Sequence, residues 1–136
     1  MSELVRDAMI TEPRSLPTTA SAREAGEVLS PPEVRAVYVV DETGGLTGVL
    51  TRKTLVSRVI AMGLDPNTTE VGPISEPPYY TIDADVPLDE AFGFLEEKDA
   101  ERVPVVEAGR LVGVLSRSVL RRRLAEDDER EVEDVV

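Results

Sequence analysis

The stretch "GVLTRKTL" at residues 48–55 is written a second time, as "GVLSRSVL", at residues 113–120. The likeness extends outward from both copies. "MITEP" (9–13) parallels "ISEPP" (74–78), and "SLPTTASAREAGEVL" (15–29) parallels "TIDADVPLDEAFGFL" (81–95). "VYVVDETGGLTGVL" (37–50) parallels "VPVVEAGRLVGVL" (103–115), with one residue fewer in the second turn. Two units of about sixty residues therefore account for nearly the whole chain. The division is a first repeat over 1–62, a linker over 63–70, a second repeat over 71–124 and an acidic tail over 125–136. The linker opens on "GLDPN", whose Gly, Pro and Asn break regular structure.

Within each unit the hydrophobic period changes in the same order. Leu88, Ala91, Phe92 and Leu95 recur at i, i+3, i+4, i+7, one face of a helix, and Pro87 suits its start. Ala22, Ala25, Val28 and Leu29 repeat the pattern. The β-branched runs "AVYVV" and "RVPVV" follow, then the turns "DETGG" and "EAG", then "LTGVL" and "LVGVL", so each unit predicts a hairpin. A closing helix starts at Thr51 or Ser116, both good N-caps, and a short strand near Ser15 and near Tyr79 to Ile82 precedes the first helix. The expected fold is α/β (α+β): two β-α-β-β-α repeats, each too small to stand alone, packed sheet to sheet with pseudo-twofold symmetry. An amphipathic surface from Ala22, Val28, Leu55, Val59, Leu88 and Phe92 is expected to remain, and a homodimer would cover it.

Composition narrows the chemistry. The 136 residues contain no Cys and no His, so disulfides, thiolate chemistry and the commonest general base and metal ligand are excluded. Against 27 acidic residues stand 15 basic ones, net −12, and Lys53 and Lys98 are the only lysines. Such a field repels nucleic acid and anionic membranes, so neither is an expected partner. No apolar run approaches a membrane span and the start lacks a secretory signal, which predicts a cytoplasmic protein.

The ordered set I-x-E-P, T-I, L-x-E-A, R-V-P-V-V and G-x-L-x-G-V-L-S-R, found twice from about Val5 to Leu124, resembles the cystathionine-beta-synthase (CBS) domain, and the tandem resembles a CBS pair. That resemblance implies a regulatory module whose cleft between repeats binds an adenosine derivative: AMP, ADP, ATP or S-adenosylmethionine. It also implies association of two pairs into a dimer. Beyond this nucleotide-type ligand no cofactor and no metal are expected.

Chemistry at the cleft can be argued from the residues. A helix N-terminus offers unpaired N–H groups and the positive end of a dipole to an anion. Thr51 and Arg52, and Ser116 and Arg117, stand at two such ends, each a hydroxyl beside a phosphate-binding guanidinium. The alternative is that the hydroxyls only cap and the arginines are solvated. In the CBS pattern G-x-x-[ST]-x-x-D the Asp takes the ribose hydroxyls; here its position holds Thr54 and Val119. Thr accepts more weakly than a carboxylate and Val not at all, which makes the Thr51 cleft the better candidate. By resemblance, Val37, Tyr38, Val103 and Pro104 face the base, and Met9, Ile10, Thr11, Thr81 and Ile82 enter from the segments leading each repeat. Tyr38, in place of the usual Pro, either stacks on the base or fills its pocket.

Arg121, Arg122 and Arg123 are expected to end the last helix, with a solvated acidic tail beyond. Asp83, Asp85, Asp89 and Glu90 are expected to serve a helix start and a loop, since no nucleophile accompanies them. Three functions follow: a ligand sensor signalling to a regulated protein in trans, since no output domain is attached; a dimerisation scaffold that has lost its ligand; and an enzyme, which the missing His, Cys and catalytic constellation disfavour.

Overall fold

The computed structural model describes residues 3–135, with side chains for 3–126. In chain order come α1 (Val5–Ala8), β1 (Ile10–Thr11), β2 (Ser15–Pro17), α2 (Ala22–Leu29), β3 (Val37–Val40), β4 (Leu46–Leu50) and α3 (Arg52–Leu55), which continues as a π-helical turn over Val56–Ile60. Then follow α4 (Val71–Ile74), β5 (Ile82–Asp83), α5 (Leu88–Glu97), β6 (Arg102–Glu107), β7 (Arg110–Ser116) and α6 (Arg117–Val135). Both repeats contain the expected β-α-β-β-α series, each preceded by a single helical turn. Ser21 caps α2 by accepting from the Glu24 N–H at 3.1 Å, as a residue of its type should.

The chain folds into two compact units that are not contiguous in sequence. One, here the first-hairpin unit, comprises residues 12–79 and 108–111; the other, the second-hairpin unit, comprises residues 1–11, 80–107 and 112–136.

The first-hairpin unit carries a three-stranded sheet ordered β2-β3-β4, with β2 parallel to β3 (Leu16 opposite Val39) and β3 antiparallel to β4 (Tyr38 opposite Val49). Its core joins Ala22 and Ala25 of α2 to Val39, Leu50, Val59, Val71 and Ile74, with Leu29, Val34 and Val37 beside them. Val71 and Ile74 come from the segment leading the second repeat. That segment is fixed by backbone bonds from Val71 N–H to Ala20 O (2.8 Å) and from Ala22 N–H to Thr69 O (2.8 Å).

The second-hairpin unit carries a four-stranded sheet ordered β1-β7-β6-β5, with Ile82 opposite Val105 in parallel and Ile10 opposite Val114 antiparallel. Its core joins Leu88, Ala91 and Leu95 to Val103, Val105, Leu115, Leu120 and, from the segment leading the first repeat, Val5. Val5 donates to Val86 O at 2.9 Å and Glu3 O receives the Leu88 N–H at 2.9 Å. Each repeat's leading segment thus seals the core built by the other repeat. Burying one such Val is worth about 1.5–3 kcal/mol.

The repeated glycines make this exchange sterically feasible. A Cβ on Gly48 would strike the Ser75 side chain and come within 3.3 Å of Glu76 O. One on Gly113 would lie 2.7 Å from Met9 Sδ and 2.8 Å from Ile10 O. Only a residue without a side chain lets the leading segment lie on the hairpin edge.

Three expectations are corrected. The last helix does not end at the arginine triplet: α6 runs to Val135, because residues 117–135 contain neither Gly nor Pro and are rich in Arg and Glu. Arg121 meets Glu96 at 3.0 Å, and Arg123 meets Glu3 at 2.7 and 3.0 Å. Tyr79 and Tyr80 precede the strand rather than forming it; the Tyr80 ring stands edge-on to Phe94, centroids 5.6 Å apart. The apolar surface set aside for a partner also differs. Ala22, Val59 and Leu88 are buried in the unit cores, whereas Val56, Ile60 (71% exposed), Met62 (69%) and Leu64 are exposed.

Candidate functional site

The polar corner lies where β4 meets α3. Thr51 has extended backbone geometry and caps α3, its hydroxyl accepting from the Thr54 N–H at 3.4 Å. Thr54 is 1% exposed, a buried hydroxyl in an apolar unit, and burial of that kind requires partners. It has them in full. Its oxygen accepts from the Thr51 N–H at 3.2 Å, meets the Thr51 hydroxyl at 3.1 Å and donates to Glu76 Oε1 at 3.3 Å. A hydroxyl has one proton and two lone pairs, so nothing of Thr54 is left for a ligand.

Glu76 reaches this corner because backbone bonds join it to Val49 in both directions, at 2.7 and 3.0 Å. Arg58 stands 4.0 Å from the same carboxylate and donates to Ile74 O at 3.2 Å. Sequence reasoning missed Glu76 because setting "MITEP" (9–13) against "ISEPP" (74–78) position by position matches Glu76 with Thr11. Strand register matches it with Ile10, which lies opposite Val114 as Glu76 lies opposite Val49. The signal was present in the offset between Leu16 and Ile82, the inward residues of β2 and β5.

Arg52 is turned to another use. Its Nη2 donates to Leu29 O at 2.6 Å and Pro31 O at 2.7 Å, a cation on the free carbonyls at the end of α2. Val37 and Tyr38 belong to the same unit and are buried on β3. The Tyr38 N–H bonds to Arg14 O at 3.0 Å.

The remaining candidates gather in the second-hairpin unit. Ser116 is buried, 3.1 Å from the Ser118 hydroxyl and 3.5 Å from the Val119 N–H. Arg117 is enclosed by carboxylates: Asp99 at 3.0 Å and Glu101 at 3.5 Å, with its side chain 17% exposed. The hydrogen bond to Asp99, and then the charges of Asp99, Glu101 and Glu96, raise its pKa further against the opposing effect of desolvation. Glu101 Oε1 also accepts from the Ser118 N–H at 3.3 Å. The anion at this helix start is the protein's own. Val103, Pro104 and Ile82 are buried, Val119 is half-buried, and Met9, Ile10, Thr11 and Thr81 lie along the edge segments. Among the described residues no group of three or more Asp or Glu is arranged to hold a metal.

The family model for the CBS domain matches the chain twice, at residues 5–61 and 71–126. Hypoxic response protein 1 of Mycobacterium tuberculosis is 31% identical over 102 residues, 75% of this chain and 71% of that protein. The crystal structure of CBSX2 in complex with AMP superposes with a TM-score of 0.74 at 25% identity, covering 92% of this chain and 98% of that one. The CBS domain pair of protein MJ0100, solved with 5'-methylthioadenosine and S-adenosyl-L-methionine, shares the fold with a TM-score of 0.68 at 23% identity, over 93% of this chain and 99% of that one.

Proposed function

This chain belongs to the CBS domain family as a tandem pair, and from that premise we propose that it is a regulatory module that binds an adenosine-type ligand and signals to a partner in trans. The observation that carries the reading is the hydroxyl and carboxylate corner of Thr51, Thr54 and Glu76, kept polar next to the buried Val37 and Tyr38 of β3. CBSX2, a similar protein, has been solved with AMP. Thr51, Val37 and Tyr38 are assigned to the ligand corner, and Thr54 to holding the Glu76 carboxylate in it. The set around Ser116, Arg117, Val119, Val103, Pro104, Met9, Ile10, Thr11, Thr81 and Ile82 is assigned to a second corner, at whose helix start Glu101 accepts from the Ser118 N–H. Repeats over 1–62 and 71–124, a linker over 63–70 and a tail over 125–136 remain the working division.

The protein acts by binding rather than turnover, as a cytoplasmic homodimer. No described helix is long and apolar enough to cross a membrane. A thermal-shift panel of adenosine, AMP, ADP, ATP and S-adenosylmethionine tests the reading. Stabilisation by any of them supports it, and none across the panel rejects it. A second reading, a scaffold without ligand, is favoured by one observation: Arg52 and Arg117 are both bound to groups of the chain itself.

A further inference from the structure

We propose that Glu76 fixes the charge class of the ligand: the corner takes the hydroxyl or amine side of an uncharged or cationic adenosine derivative and disfavours phosphorylated ones. The inference rests on the adenosine-ligand reading above and adds to it the ligand's charge.

The Glu76 backbone is held by the two Val49 bonds, and its carboxylate is tied to the corner by the Thr54 hydroxyl at 3.3 Å. One oxygen takes the Thr54 proton; the other has no donor among the described residues, and the side chain is 39% exposed. A half-exposed carboxylate with an open oxygen accepts from donors and repels phosphate. The two arginines that follow the corner along the chain are engaged. Among the cations that follow β4, Arg52 serves Leu29 and Pro31, Arg58 serves Ile74 and Glu76 itself, and Lys53 is exposed on α3. The net charge of −12 adds to the repulsion. Nor is the carboxylate needed to dock the leading segment, because Ile10 makes the corresponding pairing to Val114 without one.

Calorimetry on the intact protein with adenosine, S-adenosylmethionine, AMP and ATP tests this. Adenosine and S-adenosylmethionine should bind about tenfold more tightly than AMP and ATP, the scale of one charge contact. Glu76→Gln should erase most of that ratio while adenosine still binds. Glu76→Ile, which copies the residue at the matching position of the other unit, should do the same and serves if the Gln variant fails to fold. Tighter binding of AMP or ATP by the unaltered protein, or an unchanged ratio in folded variants, overturns the role of Glu76 and leaves the adenosine reading standing. No heat with any of the four ligands overturns that reading, and this inference with it.

Discussion

Glu101 places its Oε1 3.3 Å from the Ser118 N–H, so α6 begins on a carboxylate supplied by its own chain. The same residue receives the Arg117 N–H on its backbone carbonyl at 2.8 Å. Replacing Glu101 with Ala removes the charge from the helix start and should cost about 0.5–1 kcal/mol of stability. Urea unfolding measures it. A variant as stable as the parent would show that the contact contributes nothing.

Gly48→Ala and Gly113→Ala should each cost about 1–3 kcal/mol, because the new methyl meets Ser75 or Met9 where the leading segment crosses the hairpin. Gly93→Ala is the control. It lies inside α5, its added Cβ meets nothing within 4 Å, and it should gain up to about 1 kcal/mol. Equal effects at all three positions would refute the close-approach explanation.

Arg52→Ala should lower the melting temperature and leave ligand affinity nearly unchanged, since its guanidinium holds Leu29 O and Pro31 O. The loss is expected at about 1 kcal/mol, that of a charged helix end exposed to water. A large drop in affinity for AMP without loss of stability would return Arg52 to the ligand.

Acid stability carries a signature of Asp41. Its carboxyl is held below the usual value first by the Thr43 hydroxyl, then by the Gly45 and Thr43 N–H groups, with Arg110 adding to them. A depressed carboxylate stabilises the fold above its unfolded pKa of about 3.9, and the contribution is lost as pH falls through the lower folded value. Asp41→Asn should therefore melt below the parent near neutrality, with the gap closing below about pH 4. A gap constant from neutrality to pH 2 would exclude the carboxylate's charge as its source.

For assembly, the expected species in light scattering has twice the 14.8 kDa chain mass. Ile60→Glu or Met62→Glu, at the exposed apolar positions after α3, should shift it toward monomer. A monomer at micromolar concentration in the parent protein rejects the homodimer.

Periodicity along the chain by itself determined a good deal of this protein. The 3.6-residue spacing of Ala22, Ala25 and Leu29 and of Leu88, Ala91 and Leu95 located α2 and α5, and the β-branched runs around Val39 and Val105 with the turns after them located the hairpins. Thr51 was legible as a cap because capping is a contact three residues long. These are properties of neighbours along the chain. Tertiary structure alone decided that Val5 and Val71 would seal the cores of the opposite repeats, that Glu76 would reach Thr54, and that Arg52 and Arg117 would be bound within the chain. The sequence names the groups that need hydrogen-bonding or apolar partners, but those partners lie in other segments. Which group meets which is settled when sheet edges pair and buried polar atoms must be satisfied, and that closure is a property of the whole chain.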